Sequence, residues 1–76
     1  MKELVEFIAK RIVDEPDEVD VSEEETEDGK IVIRLNVADS DKGKVIGRRG
    51  HVAESIRTLL RVAGVKNGTR VTLEIP

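Results

Sequence analysis

Apolar residues at Leu4, Ile8 and Ile12, flanked by Val5 and Ala9, recur at helical spacing, while Lys2, Glu3, Glu6, Lys10 and Arg11 take the other face. A helix is therefore expected over Lys2–Val13, ended by Pro16, which lacks a backbone donor and restricts Glu15 before it. Val19 and Val21 then alternate with acids as in a half-buried strand. Asp28-Gly29 reads as a two-residue hairpin turn with φ > 0 at both positions. Beyond it, Ile31, Ile33, Leu35 and Val37 alternate with Lys30, Val32, Arg34 and Asn36, the clearest strand pattern in the chain. Asp39, Ser40 and Asp41 offer capping oxygens to a short helix ending near Ile46. In the run from His51 to Gly64, Val52, Ile56, Leu59, Leu60 and Ala63 share one face of a longer helix, with Gly64 as its stop. Asn67-Gly68 marks a turn, and Val71, Leu73 and Ile75 alternate as a last strand.

The order is helix, strand, strand, short helix, longer helix, strand. A hairpin makes the first two strands antiparallel, and the helical pair before the third is long enough for a right-handed parallel crossover. The expected class is α+β: a three-stranded mixed sheet with helices packed on one face. The 76 residues form a single domain over 1–76.

Composition excludes several chemistries. Without cysteine there is no disulfide, thiolate metal site or thiol nucleophile. No apolar run is long enough for a membrane span, and the acids in the opening residues are foreign to a signal peptide, so a cytoplasmic protein is expected. The net charge of −3 argues against nucleic acid until its distribution is considered. Asp14 to Asp28 contains ten acids and no base, whereas Lys42 to Arg61 contains six bases (Lys42, Lys44, Arg48, Arg49, Arg57, Arg61) and the single acid Glu54.

Within that basic half lies Val45-Ile46-Gly47-Arg48-Arg49-Gly50, at the junction of the two expected helices. Glycine at both ends permits a sharp change of direction without a Cβ clash. A turn here opens the longer helix, so loop amides and the positive end of the helix dipole face outward together. Neither glycine has a side chain to keep a phosphate away. Arg48 and Arg49 add charge at the tip, with Lys42 and Lys44 a turn earlier.

This arrangement resembles a KH domain of the prokaryotic, type II topology over nearly the whole chain. The run Asp41-Lys42-Gly43-Lys44-Val45-Ile46-Gly47-Arg48-Arg49-Gly50, followed by Glu54-Ser55-Ile56-Arg57-Thr58-Leu59-Leu60, is similar to the small stand-alone bacterial KH proteins of the KhpA family. The resemblance implies that the GxxG loop clamps a sugar–phosphate backbone while about four unpaired nucleotides lie in a groove between the flanking helices and the sheet. Gly47 and Gly50 would then allow the backbone approach, Arg48 and Arg49 would face phosphates, and Ile46 and Ala53 would line the groove floor. Many KH domains carry a larger aliphatic residue at the Ala53 position, which implies a shallower floor here. Self-association and pairing with a second, larger KH-containing RNA-binding protein are also implied.

The remaining candidates stand on their residues alone. His51 follows the loop and suits a phosphate or sugar contact or an exposed first-turn position; it has no evident nucleophile to serve as a catalytic base. Arg57 and Arg61, one turn apart, extend the basic surface or are simply solvated. The acidic tract lacks the spacing of a calcium loop and reads as the exposed side of an edge strand, where charge discourages aggregation. Phe7, the one aromatic residue, is expected in the core. The longer helix has an apolar arc wider than a core stripe needs, which leaves Leu59 and Val62 either as a protein–protein surface or covered by the first helix. The expected function is non-catalytic binding of single-stranded RNA, as an RNA chaperone or post-transcriptional regulator, with no metal or cofactor. The alternatives are a protein-interaction module whose GxxG loop is structural, and a ribosomal RNA assembly factor.

Overall fold

The computed structural model describes all residues, Met1–Pro76. Three helices, α1 (Lys2–Ile12), α2 (Lys42–Ile46) and α3 (His51–Lys66), accompany three strands, β1 (Asp20–Glu25), β2 (Ile31–Asn36) and β3 (Val71–Glu74). Short 3₁₀ turns at Pro16–Glu18, Asp39–Asp41 and Arg48–Gly50 join them. β2 is central, antiparallel to β1 and parallel to β3. The α+β class, the element order and the mixed sheet are those expected from the sequence.

The core lies between one face of the sheet and the helices. Val21, Ile33, Leu35 and Leu73 meet Val5, Ala9 and Val13 from the first helical segment, Val45 from α2, and Ile56 and Leu60 from α3. Each of the Val, Ile and Leu side chains contributes roughly 1.5–3 kcal/mol on leaving water. On the helix-free face, Arg34 bridges all three strands, paired with Glu24 at 3.1 Å and Glu74 at 3.0 Å.

Several details depart from expectation. In α1 the buried line is Val5, Ala9 and Val13, while Leu4 is exposed and Ile8 and Ile12 are half-buried. Phe7 is 57% exposed rather than in the core, because two residues beyond Val5 lie about 200° around the helix. Its ring instead carries the Arg11 guanidinium, 4.7 Å from the centroid. α3 is likewise rotated from expectation: Ala53, Ile56, Leu60 and Gly64 face inward, and Leu59 is half exposed.

The first hairpin is not a two-residue turn. Glu25 pairs with Ile31, Thr26 bonds Lys30 O through its amide, and the Gly29 amide reaches Thr26 O. Only Gly29 has positive φ, at +84°, so the connection is a three-residue loop with the left-handed position last. Gly64 does not stop α3 either, because the helix runs two residues past it. A Cβ there would collide with the Thr69 carbonyl, so the glycine is what lets the chain after α3 fold back against it. The helix ends at Asn67, where Thr69 N bonds Gly64 O (2.7 Å) and Gly68 N bonds Val65 O (3.1 Å), with Gly68 at φ +69°. This pair of bonds satisfies carbonyls that the last turn would otherwise leave open.

Candidate nucleic-acid interface

The Gly47–Gly50 segment joins α2 to α3 in four residues. Gly47 sits at φ 77°, ψ 174°, a region essentially closed to residues with a side chain. Arg49 (φ 56°, ψ 24°) and Gly50 (φ 77°, ψ 12°) are left-handed, and the Gly50 amide closes the turn on Gly47 O at 3.0 Å. The two glycines have different reasons. A Cβ on Gly47 would overlap Val52, side chain and backbone nitrogen alike, so that glycine serves the packing of the chain itself. A Cβ on Gly50 would meet nothing within 4 Å, so the open approach is at Gly50. α3 begins there without a side-chain cap, its His51 amide taken by the Arg48 carbonyl, and the positive end of its dipole faces the loop.

The bases in this region divide by partner. Arg48 and Arg49 are exposed at the tip and make no ion pair or side-chain hydrogen bond within the chain. Lys42 pairs with Asp39 at 3.3 Å. Lys44 is held between Asp14 and Asp41. Its ammonium titrates above the ordinary lysine range, first because of the hydrogen bond to Asp14, with Asp41 adding to it against partial desolvation. Arg57 contacts Glu54 at 3.3 Å and donates to the Leu73 carbonyl at 3.3 Å, which ties α3 to β3. Around the loop, the bases left without a carboxylate partner are thus Arg48 and Arg49.

Asp41, expected as a cap for α2, does something else. It is fully buried, and its two carboxylate oxygens accept the backbone amides of Asp14 and Glu15, both at 3.1 Å. α2 itself has no side-chain cap. Burial works to raise the Asp41 pKa, but these two amides and Lys44 outweigh it and hold the carboxyl below its usual range. The bond anchors the start of α2 to the end of the first helical segment, 26 and 27 residues away in sequence, a distance at which no local spacing signals it.

Of the other expected contacts, His51 is exposed beside the loop and Ile46 is 39% exposed. Ala53 is only 3% exposed and belongs to the inward line of α3. Leu59 and Val62 are 50% and 59% exposed, so the first helix does not cover them. No helix is long and apolar enough to cross a membrane.

Comparison with known proteins adds to this geometry. The family model described as KhpA/KhpB, KH domain, matches residues 2–75. The RNA-binding protein KhpA of Clostridium acetobutylicum is 52% identical over 75 residues, 99% of either chain. That of Borreliella burgdorferi is 51% identical over 73 residues, 96% of this chain and 88% of its own. The Bacillus subtilis protein of the same name is 45% identical over 75 residues, 99% of this chain and 91% of its own. No solved structure matches the chain.

Proposed function

We propose, because this chain belongs to the KhpA/KhpB KH-domain family, that it binds single-stranded RNA through the loop Gly47–Gly50. The family is one of non-catalytic RNA-binding proteins. The observation that carries the reading is the pair Arg48 and Arg49, exposed and unpaired at the uncapped start of α3 while every lysine in α2 already has a carboxylate partner. A phosphate against Gly50 would meet the positive end of the helix dipole and two guanidinium groups at once. In this reading Lys42, Lys44, His51 and Arg57 are further contacts on the elements flanking the loop, Ile46 offers an adjoining apolar surface, and Ala53 keeps the groove floor shallow.

With no aromatic side chain at the site, base stacking of the kind that strengthens other single-strand binders is absent, and the phosphate contacts carry the affinity. Such a module binds modestly and gains from a second one through effective concentration. The exposed flank at Leu59 and Val62 supports association with a second copy or with a larger KH-containing RNA-binding protein. In the cytoplasm, a weak and sparsely discriminating binder of this kind fits an RNA chaperone or post-transcriptional regulator.

The test is the Arg48→Asp, Arg49→Asp double variant, checked for an intact fold by circular dichroism. Fluorescence anisotropy with a random single-stranded RNA pool should show affinity reduced at least tenfold. The logarithmic salt slope should be shallower by about 0.7 for each phosphate that is no longer neutralised. Undiminished binding by the folded variant would leave the loop a structural turn in a protein-interaction module.

A further inference from the structure

Two arginines outside the loop remain without a partner, and the fold brings them together. Arg61 lies one turn beyond Arg57 on α3, and Arg70 stands just before β3. They line one cleft of about 350 Å³ with Val65, Thr69, Val71 and Thr72, and no acid is among its walls. Neither guanidinium has an ion pair or a side-chain hydrogen bond. The backbone behind Arg70 is rigid: its carbonyl accepts the Ile31 amide at 2.8 Å, and Thr69 N is tied to Gly64 O. The close approach that Gly64 permits sets Thr69 and Val71 against α3 and so shapes the cleft.

Arg61 is eleven residues beyond Gly50, about 16 Å along the helix axis. Between them Arg57 reaches across to β3 through the Leu73 carbonyl, which puts Arg57 and Arg61 on the β3 side of α3. A strand leaving the loop along that side meets Arg57, then Arg61, then Arg70. Val65, three-quarters exposed in the same cleft, offers an apolar surface to a base between the last two. The track has an end: on its far side Arg70 borders a second cleft shared with Lys30 and Asp28, and the acidic hairpin begins there.

We infer that the cleft between Arg61 and Arg70 is a second phosphate site, which holds the RNA backbone beyond the nucleotides clamped at the loop. The inference rests on the RNA-binding reading above. It makes the bound segment longer than the roughly four nucleotides a single KH loop and groove accommodate. It also gives part of the affinity a dependence on RNA length.

The experiment compares the chain with its Arg61→Gln, Arg70→Gln variant on two uridine oligomers, one of about four nucleotides and one about three times as long. Lys2→Gln, Lys10→Gln serves as a control of equal charge change far from the site. The chain should prefer the longer oligomer beyond the gain expected from the number of registers. The variant should lose that preference several-fold, with a salt slope shallower by about 1.4 on the longer oligomer, two phosphates at about 0.7 each. An equal loss on both oligomers, or an equal loss in the control, would reduce the arginines to bulk charge and overturn the site. No loss on either would overturn it too. If the unaltered chain binds neither oligomer, the failure belongs to the RNA-binding reading itself.

Discussion

Arg49 is the one residue with a side chain that holds positive φ, and a left-handed arginine costs roughly 1–2 kcal/mol. The cost falls in the loop to which RNA binding is assigned above, on a side chain that is exposed and unpaired. Arg49→Gly is therefore expected to raise stability by up to ~1 kcal/mol in urea denaturation while weakening RNA binding in anisotropy titrations. A variant that is less stable would show that the arginine side chain supports the fold.

Asp41 is the opposite case, a charged residue kept for architecture. Its carboxyl is held below its unfolded value, so its contribution to stability is present above about pH 4 and disappears as pH falls through the lower, folded value. The melting temperature should thus drop on acidification below about pH 4. In Asp41→Asn, which begins roughly 10 °C lower because an amide group satisfies the two backbone donors less well, the acid-induced drop should be smaller. Glu3 and Asp28 are also shifted downward and leave a residual slope in both proteins. Parallel curves for the two proteins would remove Asp41 from the acid transition.

At the level of elements, α3 performs two jobs on different faces. Ala53, Ile56, Leu60 and Gly64 bury one face, and the start of the helix supplies the candidate phosphate site. Leu59 and Val62 then form an uncovered apolar flank, which a lone domain exposes at some risk of nonspecific association. Sedimentation should report a self-associated species for the unaltered chain and a monomer for Leu59→Asp, with weaker binding to long RNA through reduced avidity. An unchanged assembly state would leave the flank without an interface role.

Across the whole molecule, the acidic segment Asp14–Asp28 and the basic segment Lys42–Arg61 are not simply on opposite sides. They touch where Asp14 takes Lys44, so an acid of one segment occupies a base of the other in the absence of RNA. Releasing Lys44 with Asp14→Asn should raise RNA affinity several-fold at low salt, and the gain should vanish when Lys44→Ala is added. A gain that persists without Lys44 would trace to net charge alone. Four more acids of the tract, Asp20, Glu23, Glu24 and Glu25, lie on β1, an edge strand, where they discourage pairing with other chains and repel phosphate from that side.

The sequence alone determined what local periodicity can carry. Alternation over Ile31–Val37, helical spacing in the first and last helices, and Gly47-Arg48-Arg49-Gly50 between two helical runs were enough for the element order, the mixed sheet and the position of the loop. Each of these depends on residues a few positions apart. Only the tertiary structure decided which way each helix turned toward the sheet. Leu4 and Val5 are neighbours in an apolar stripe, and packing against β1 and β2 alone selects Val5 and leaves Phe7 outside. The same holds for charge. Six bases in one segment looked equivalent, until folding set carboxylates beside Lys42, Lys44 and Arg57 and left Arg48, Arg49 and Arg61 free. The Asp41 anchor and the meeting of Arg61 with Arg70 were hidden for the same physical reason. An ion pair, a buried carboxylate or a shared cleft is fixed by distance in space, and those distances exist only once the core has formed.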